Sequence, residues 1–98
     1  MAAVRYTSRA EFDLDEIADF TKRNWNELQV NKYLDGLEDL CVLLTKNPKL
    51  GRPYSEAHPT WRRMEHGSHV VFYREIKTGI LVQRIMHKRM MPQKDGFL

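Results

Sequence analysis

The residues with the widest chemical reach lie in the second half of the chain. Arg62, Arg63, Arg74 and Arg84 are cations of the kind that hold a phosphate, and His87 can take or give a proton near neutral pH. Glu65 is a second candidate base, and Arg52 and Arg89 add charge at either end of this stretch. Each has a plainer reading. Arg62 and Arg63 are adjacent, so on a strand they face opposite sides and cannot form one patch. Arg84 lies in an apolar run, where it is expected to meet a carboxylate or pack through its stem. A strand glutamate beside arginines serves as an ion-pair partner, and a loop arginine such as Arg52 is often only solvated. Trp61 and Tyr73 read as core or groove walls rather than as stacking platforms for bases.

Metal chemistry finds no support in the spacing. The four histidines (His58, His66, His69, His87) have neither HxxxH nor HExxH spacing, and one cysteine excludes a Cys-rich zinc site. Cys41 cannot form an internal disulfide. The first six residues lack the apolar core of a signal peptide, so a reducing cytoplasm is the expected setting. No apolar stretch approaches the roughly 18–20 residues that span a bilayer. No cofactor and no membrane partner are expected.

The elements that must position these groups fit one domain, residues 1–98. With 42% hydrophobic and 30% charged residues, the composition is that of a soluble globular protein. Residues 1–47 hold six Lys or Arg against nine Asp or Glu, and residues 48–98 hold ten against four. The basic second half suggests phosphate, nucleic acid or an acidic protein as partner. The net charge of +3 is low for binding nucleic acid by charge alone.

Val4 to Thr7 reads as a short strand. Ser8-Arg9-Ala10-Glu11 matches the S-x-x-E capping box, which opens a helix. Leu14, Ile17, Ala18, Thr21 and Trp25 make one helical stripe, and Phe12 and Phe20 lie off it. Asn26 caps a second helix, whose stripe is Val30, Tyr33, Leu34, Leu37, Leu40, Cys41 and Leu44. The short link at Trp25-Asn26 makes the pair an antiparallel hairpin. Pro48, Gly51, Pro53 and Pro59 mark residues 47–60 as a loop. Trp61–Glu65, His69–Arg74 and Ile80–His87 then read as strands joined by turns at His66-Gly67-Ser68 and Lys77-Thr78-Gly79. Residues 91–98 form a polar tail. The order β-α-α-β-β-β defines an α+β, two-layer domain in which a helical hairpin packs on an antiparallel sheet.

The ordered segments resemble a known family. Asp13-Leu14-Asp15-Glu16-Ile17 with Phe20 and Trp25, Tyr33-Leu34 with Leu37, and Asn47-Pro48 through Leu50-Gly51-Arg52-Pro53 match in sequence. So do Trp61-Arg62-Arg63, Gly67 to Arg74, and Arg84-Ile85-Met86-His87 with Arg89-Met90. Together they resemble ParE, the gyrase-inhibiting branch of the RelE/ParE superfamily of bacterial type II toxin–antitoxin systems. The resemblance implies a protein that stabilises the cleaved gyrase–DNA complex as a ligand, not an enzyme, and is neutralised by a ParD-like antitoxin. DNA would be met only through gyrase or the antitoxin.

A branch similar to RelE instead cuts messenger RNA on the ribosome. That reaction needs a base, an acid and cations around the phosphorane. Members of that branch commonly place a tyrosine near the end of the last strand, and here no tyrosine follows Tyr73. The RNase set would be His87, Arg62, Arg74, Arg84 and Glu65, and it is incomplete. His87 matches the histidine usual in ParE itself, where no catalysis is implied. A third reading is a non-toxic co-repressor with its antitoxin. Target contacts are expected at Arg52, Arg62, Arg74, Arg84, His87 and Arg89. Antitoxin contacts are expected at Phe12, Phe20, Trp61 and Tyr73.

Overall fold

The structure is a computed structural model and describes residues 3–55 and 58–90. The tail expected at residues 91–98 lies outside them. The chain runs β1 (Ala3–Tyr6), α1 (Ser8–Asn24), α2 (Glu27–Lys46), β2 (Arg52–Ser55), β3 (His58–His66), β4 (His69–Ile76) and β5 (Gly79–His87). A single 3-10 turn, Lys88–Met90, follows β5. The sheet order is β1-β5-β4-β3-β2. β1 lies parallel to β5, and every other pair is antiparallel. No helix among the described residues is long and apolar enough to cross a membrane.

The two helices cover one face of the sheet. Ala10 and Ile17 of α1 and Leu37, Cys41 and Leu44 of α2 meet Val71, Tyr73, Ile80, Val82 and Ile85 in one buried cluster. Tyr33, Leu34 and Leu40 pack against its rim, so the α2 stripe faces the sheet as its spacing requires. Burial pushes the Cys41 thiol up to about 11, which leaves it protonated and inert.

Four details depart from the sequence reading. Residues 52–55 form a strand rather than loop, pairing Arg52 and Pro53 with Arg63 and Arg62. Pro53 is tolerated because β2 is an edge strand with one open side. β3 starts at His58, three residues before the expected Trp61. The cap of α1 is Thr7, not Ser8. Its hydroxyl accepts from Ala10 N, so no reciprocal bond from Glu11 is formed. Trp25 ends its helix 53% exposed, because the chain has already turned extended there.

Gly51 explains how β2 reaches the core. Tyr73 Oη accepts from Gly51 N at 2.9 Å and donates to Pro48 O at 2.8 Å. A Cβ at residue 51 would stand 2.5 Å from that oxygen, so only glycine lets the loop close over the ring.

Candidate functional site

The site grows from the point where β1 stops. β1 pairs with β5 only as far as Tyr6 opposite Val82, and the chain then leaves to form α1. Thr7 stitches the departure by donating its hydroxyl to Gln83 O at 2.9 Å. Beyond Gln83 the outer edge of β5 has no strand neighbour among the described residues. Asp13 of α1 stands in for one. Its Oδ2 accepts from Ile85 N at 3.0 Å and from Arg84 Nε at 2.9 Å, while Oδ1 accepts from Arg84 Nη2 at 3.3 Å. The carboxylate expected for Arg84 is therefore Asp13, and the guanidinium is committed to it with 14% of its side chain exposed.

Where α1 and the end of β5 diverge, they leave an open groove of about 560 Å³. Phe12 and Phe20 form its apolar wall, 50% and 57% exposed, as expected for residues off the core stripe. Arg9, Arg23 and Arg89 line it with positive charge, and Met86 and His87 face them from β5. A smaller hollow of about 220 Å³ shares Phe20, His69 and His87 with this groove and reaches Trp25 and Tyr33.

Three aromatic side chains meet there. Tyr33 Oη donates to His66 O at 3.0 Å and lies 2.6 Å from His69 Nδ1. The hydroxyl has one proton, so with that proton on His66 O the imidazole donates from Nδ1, and Nε2 is the open nitrogen of His69. Burial, reinforced by the nearby His87 and His66, lowers His69 to about 4. The His87 ring stands edge-on to His69 at 5.3 Å. His87 Nδ1 accepts the backbone N–H of Arg89 at 3.0 Å. Neutral His87 therefore carries its proton on Nε2, where it can donate but not accept.

The other expected site residues are dispersed. Arg62 is opposite Tyr73 and so shares the helix-side face, where its Nη1 donates to Gly51 O at 2.7 Å. Arg74 lies opposite Leu81 on the outer face. Glu65 sits between Arg52 and Lys88, at 3.5 Å from each, and is the ion-pair partner its neighbours suggest. Trp61 is half-buried on the outer face beside Tyr54 and His58. Tyr73 is fully buried, which corrects its place among surface contacts: its ring belongs to the core and its hydroxyl to the 48–51 loop. Sequence reasoning also passed over Tyr33 and His69 as a pair. No local spacing signals a contact between residues 36 apart. Among the described residues no group of His, Cys, Asp and Glu is placed to hold a metal ion.

A helical hairpin on a five-stranded, mostly antiparallel sheet, with a groove between α1 and the end of the last strand, defines a small two-layer α+β protein. The fold is that of a solved structure titled as the chromosomal ParDE TA system from P. aeruginosa. The TM-score is 0.72 at 23% identity, over 89% of this chain and 96% of that one. Residues 4–92 match the family model described as the ParE toxin of type II toxin–antitoxin system, parDE. The chain belongs to that family. It is 37% identical over 82 residues to Toxin ParE1 of Mycobacterium tuberculosis, covering 83% of this chain and 84% of the relative. Toxin ParE1 of Caulobacter vibrioides is 31% identical over 90 residues, covering 92% and 93%.

Proposed function

We propose that this ParE-family toxin acts in the cytoplasm by holding DNA gyrase in its cleaved DNA complex, as a protein ligand rather than an enzyme. The observation that carries the reading is the hydrogen bond that Arg89 N donates to His87 Nδ1 at 3.0 Å. While Nδ1 holds that bond, neutral His87 carries its proton on Nε2, which is then a donor and not a base for a ribose hydroxyl. The remaining RNase candidates support the same view. Arg84 is tied to Asp13, Glu65 to Arg52 and Lys88, and Arg62 and Arg74 lie on opposite faces of the sheet.

The groove between α1 and β5 suits a ParD-like antitoxin. Phe12 and Phe20 offer apolar anchors for an amphipathic helix, and the arginines around them favour acidic residues on it. An extended continuation would meet the edge of β5 beyond Ile85, past the N–H that Asp13 already holds. Induced expression of the toxin, followed by assays for broken chromosomal DNA and for cut messenger RNA, tests the reading. DNA breaks that co-expressed antitoxin suppresses are expected. Codon-positioned RNA cuts with intact DNA would contradict it.

A further inference from the structure

Val70 and Phe72 are fully buried, yet neither belongs to the helix-side cluster. Side chains alternate along a strand, and Val71 and Tyr73 of the same strand point to the helices. Val70 and Phe72 therefore face the other way, onto the outer face of the sheet. Both helices lie on the opposite face, so the cover over these two residues comes from elsewhere.

Neighbouring side chains supply part of it. Tyr54 stands edge-on to Phe72 at 5.0 Å and 75°, and Tyr54 and Phe72 each have a further partner. Across the ladder, Val70 meets Glu65 and Met86, and Phe72 meets Arg63 and Arg84. Arginine stems can shield apolar surface, but the Arg84 guanidinium is turned away to Asp13. Complete burial at both positions calls for apolar cover laid across the sheet. The same face is cationic. Arg52 and Arg63 are directly opposed, and Arg63 and Arg74 are diagonal neighbours, so a carboxylate among them is favoured.

The chain itself supplies a segment with both properties. Asp95, Phe97 and Leu98 follow β5 within residues 91–98. The backbone leaves β5 on the correct side, since Lys88 Nζ reaches Glu65 at 3.5 Å and Glu65 shares the face of Arg63 and Phe72. Phe72 is opposite Arg84, three residues before His87, about 10 Å back along the strand. Tyr54 is in β2, three strands from β5, about 14 Å across the sheet. The seven residues from Met91 to Phe97 span about 23 Å when extended, which is enough for both. The other apolar surface within reach is the groove between α1 and β5. There Phe12 and Phe20 stay half-exposed, so the cover does not lie on them.

We propose that residues 91–98 run back across the outer face of the sheet as a strap, seating Phe97 on Tyr54 and Phe72 and bringing Asp95 to Arg63 and Arg74. The strap closes this face to partners and leaves the groove as the surface for them. This goes beyond the gyrase reading and does not depend on it, because the contact needs no second protein.

The test is proton NMR of the full-length toxin. Ring-to-ring cross-peaks from Phe97 to Tyr54 and Phe72 are expected, with Phe97→Leu assigning the Phe97 signals. Phe97→Ala should uncover Val70 and Phe72, so that binding of an apolar fluorescent dye rises several-fold. Gln93→Ala, in the same segment but without an anchor, should leave dye binding unchanged. Asp95→Asn should move the guanidinium signals of Arg63 and Arg74 and leave that of Arg23 in place. Cross-peaks from Phe97 to Phe12 or Phe20, a Phe97 ring that meets no other ring, unchanged dye binding in Phe97→Ala, an equal rise in Gln93→Ala, or unmoved Arg63 and Arg74 signals in Asp95→Asn would each overturn the proposal.

Discussion

Arg84 Nε and the carboxylate of Asp13 meet at 2.9 Å across a sequence separation of 71 residues. The same Asp13 oxygen takes the backbone N–H of Ile85. One carboxylate thus balances a nearly buried cation and closes an open strand edge. Asp13→Ala would leave both unpaired and should cost about 3–5 kcal/mol. Arg84→Met should cost less, because Asp13 keeps the Ile85 bond and has Arg9 within 3.9 Å. Urea unfolding of the two variants checks the order; equal losses would mean that the pair, not the strand edge, dominates.

Stability should fall in mild acid through His69. Its folded value is near 4 and its ordinary value about 6.5, so only the unfolded chain gains a proton between them. The contribution of the neutral ring is fully present above about pH 6.5 and is lost as pH falls towards 4. Discounted for partial exposure, it amounts to on the order of 1–2 kcal/mol. Urea midpoints measured from pH 7 to pH 4.5 should show a shallower decline in His69→Gln than in the wild type.

Much of the fold was legible from local chemistry. The stripe from Val30 to Leu44 and the Asn26 cap defined α2, and the turns around Gly67 and Gly79 defined the two hairpins. What was not legible depends on contacts distant in sequence. β2 carries Pro53 and becomes a strand only because β3 offers it a ladder. Nothing in Val4 to Thr7 says that its partner is β5 or that the pairing is parallel. The exposure of Phe12 and Phe20 was legible because helical spacing separates them from the core. Tyr73 is the core ring that its apolar strand suggests, and only its place among the antitoxin contacts fails, because a polar-tipped ring reads the same at a surface as under a loop.

His87→Gln should retain most toxicity. The glutamine amide can replace the Nε2 donor, whereas loss of a general base would remove about 10²–10⁴ in rate. Growth arrest at matched expression, with folding confirmed by circular dichroism, provides the measurement. Near-total loss in a folded variant would point to proton transfer.

Phe12→Ala and Phe20→Ala should each weaken antitoxin binding by about 2–4 kcal/mol if they anchor its helix. Neither should unfold the toxin, since both rings are about half exposed. Calorimetric titration with the antitoxin gives the values. Unchanged affinity in both variants would move the interface away from the groove.

A toxin that acts on gyrase by binding should trap broken DNA without any other bacterial component. The direct measurement combines purified gyrase, ATP, relaxed plasmid and this toxin, followed by detergent and protease to release trapped breaks. The account predicts linear plasmid in proportion to toxin and its disappearance when antitoxin is added in equal amount. Supercoiling that proceeds unaltered at saturating toxin, while ribosome-bound messenger RNA is cut in parallel, would contradict it.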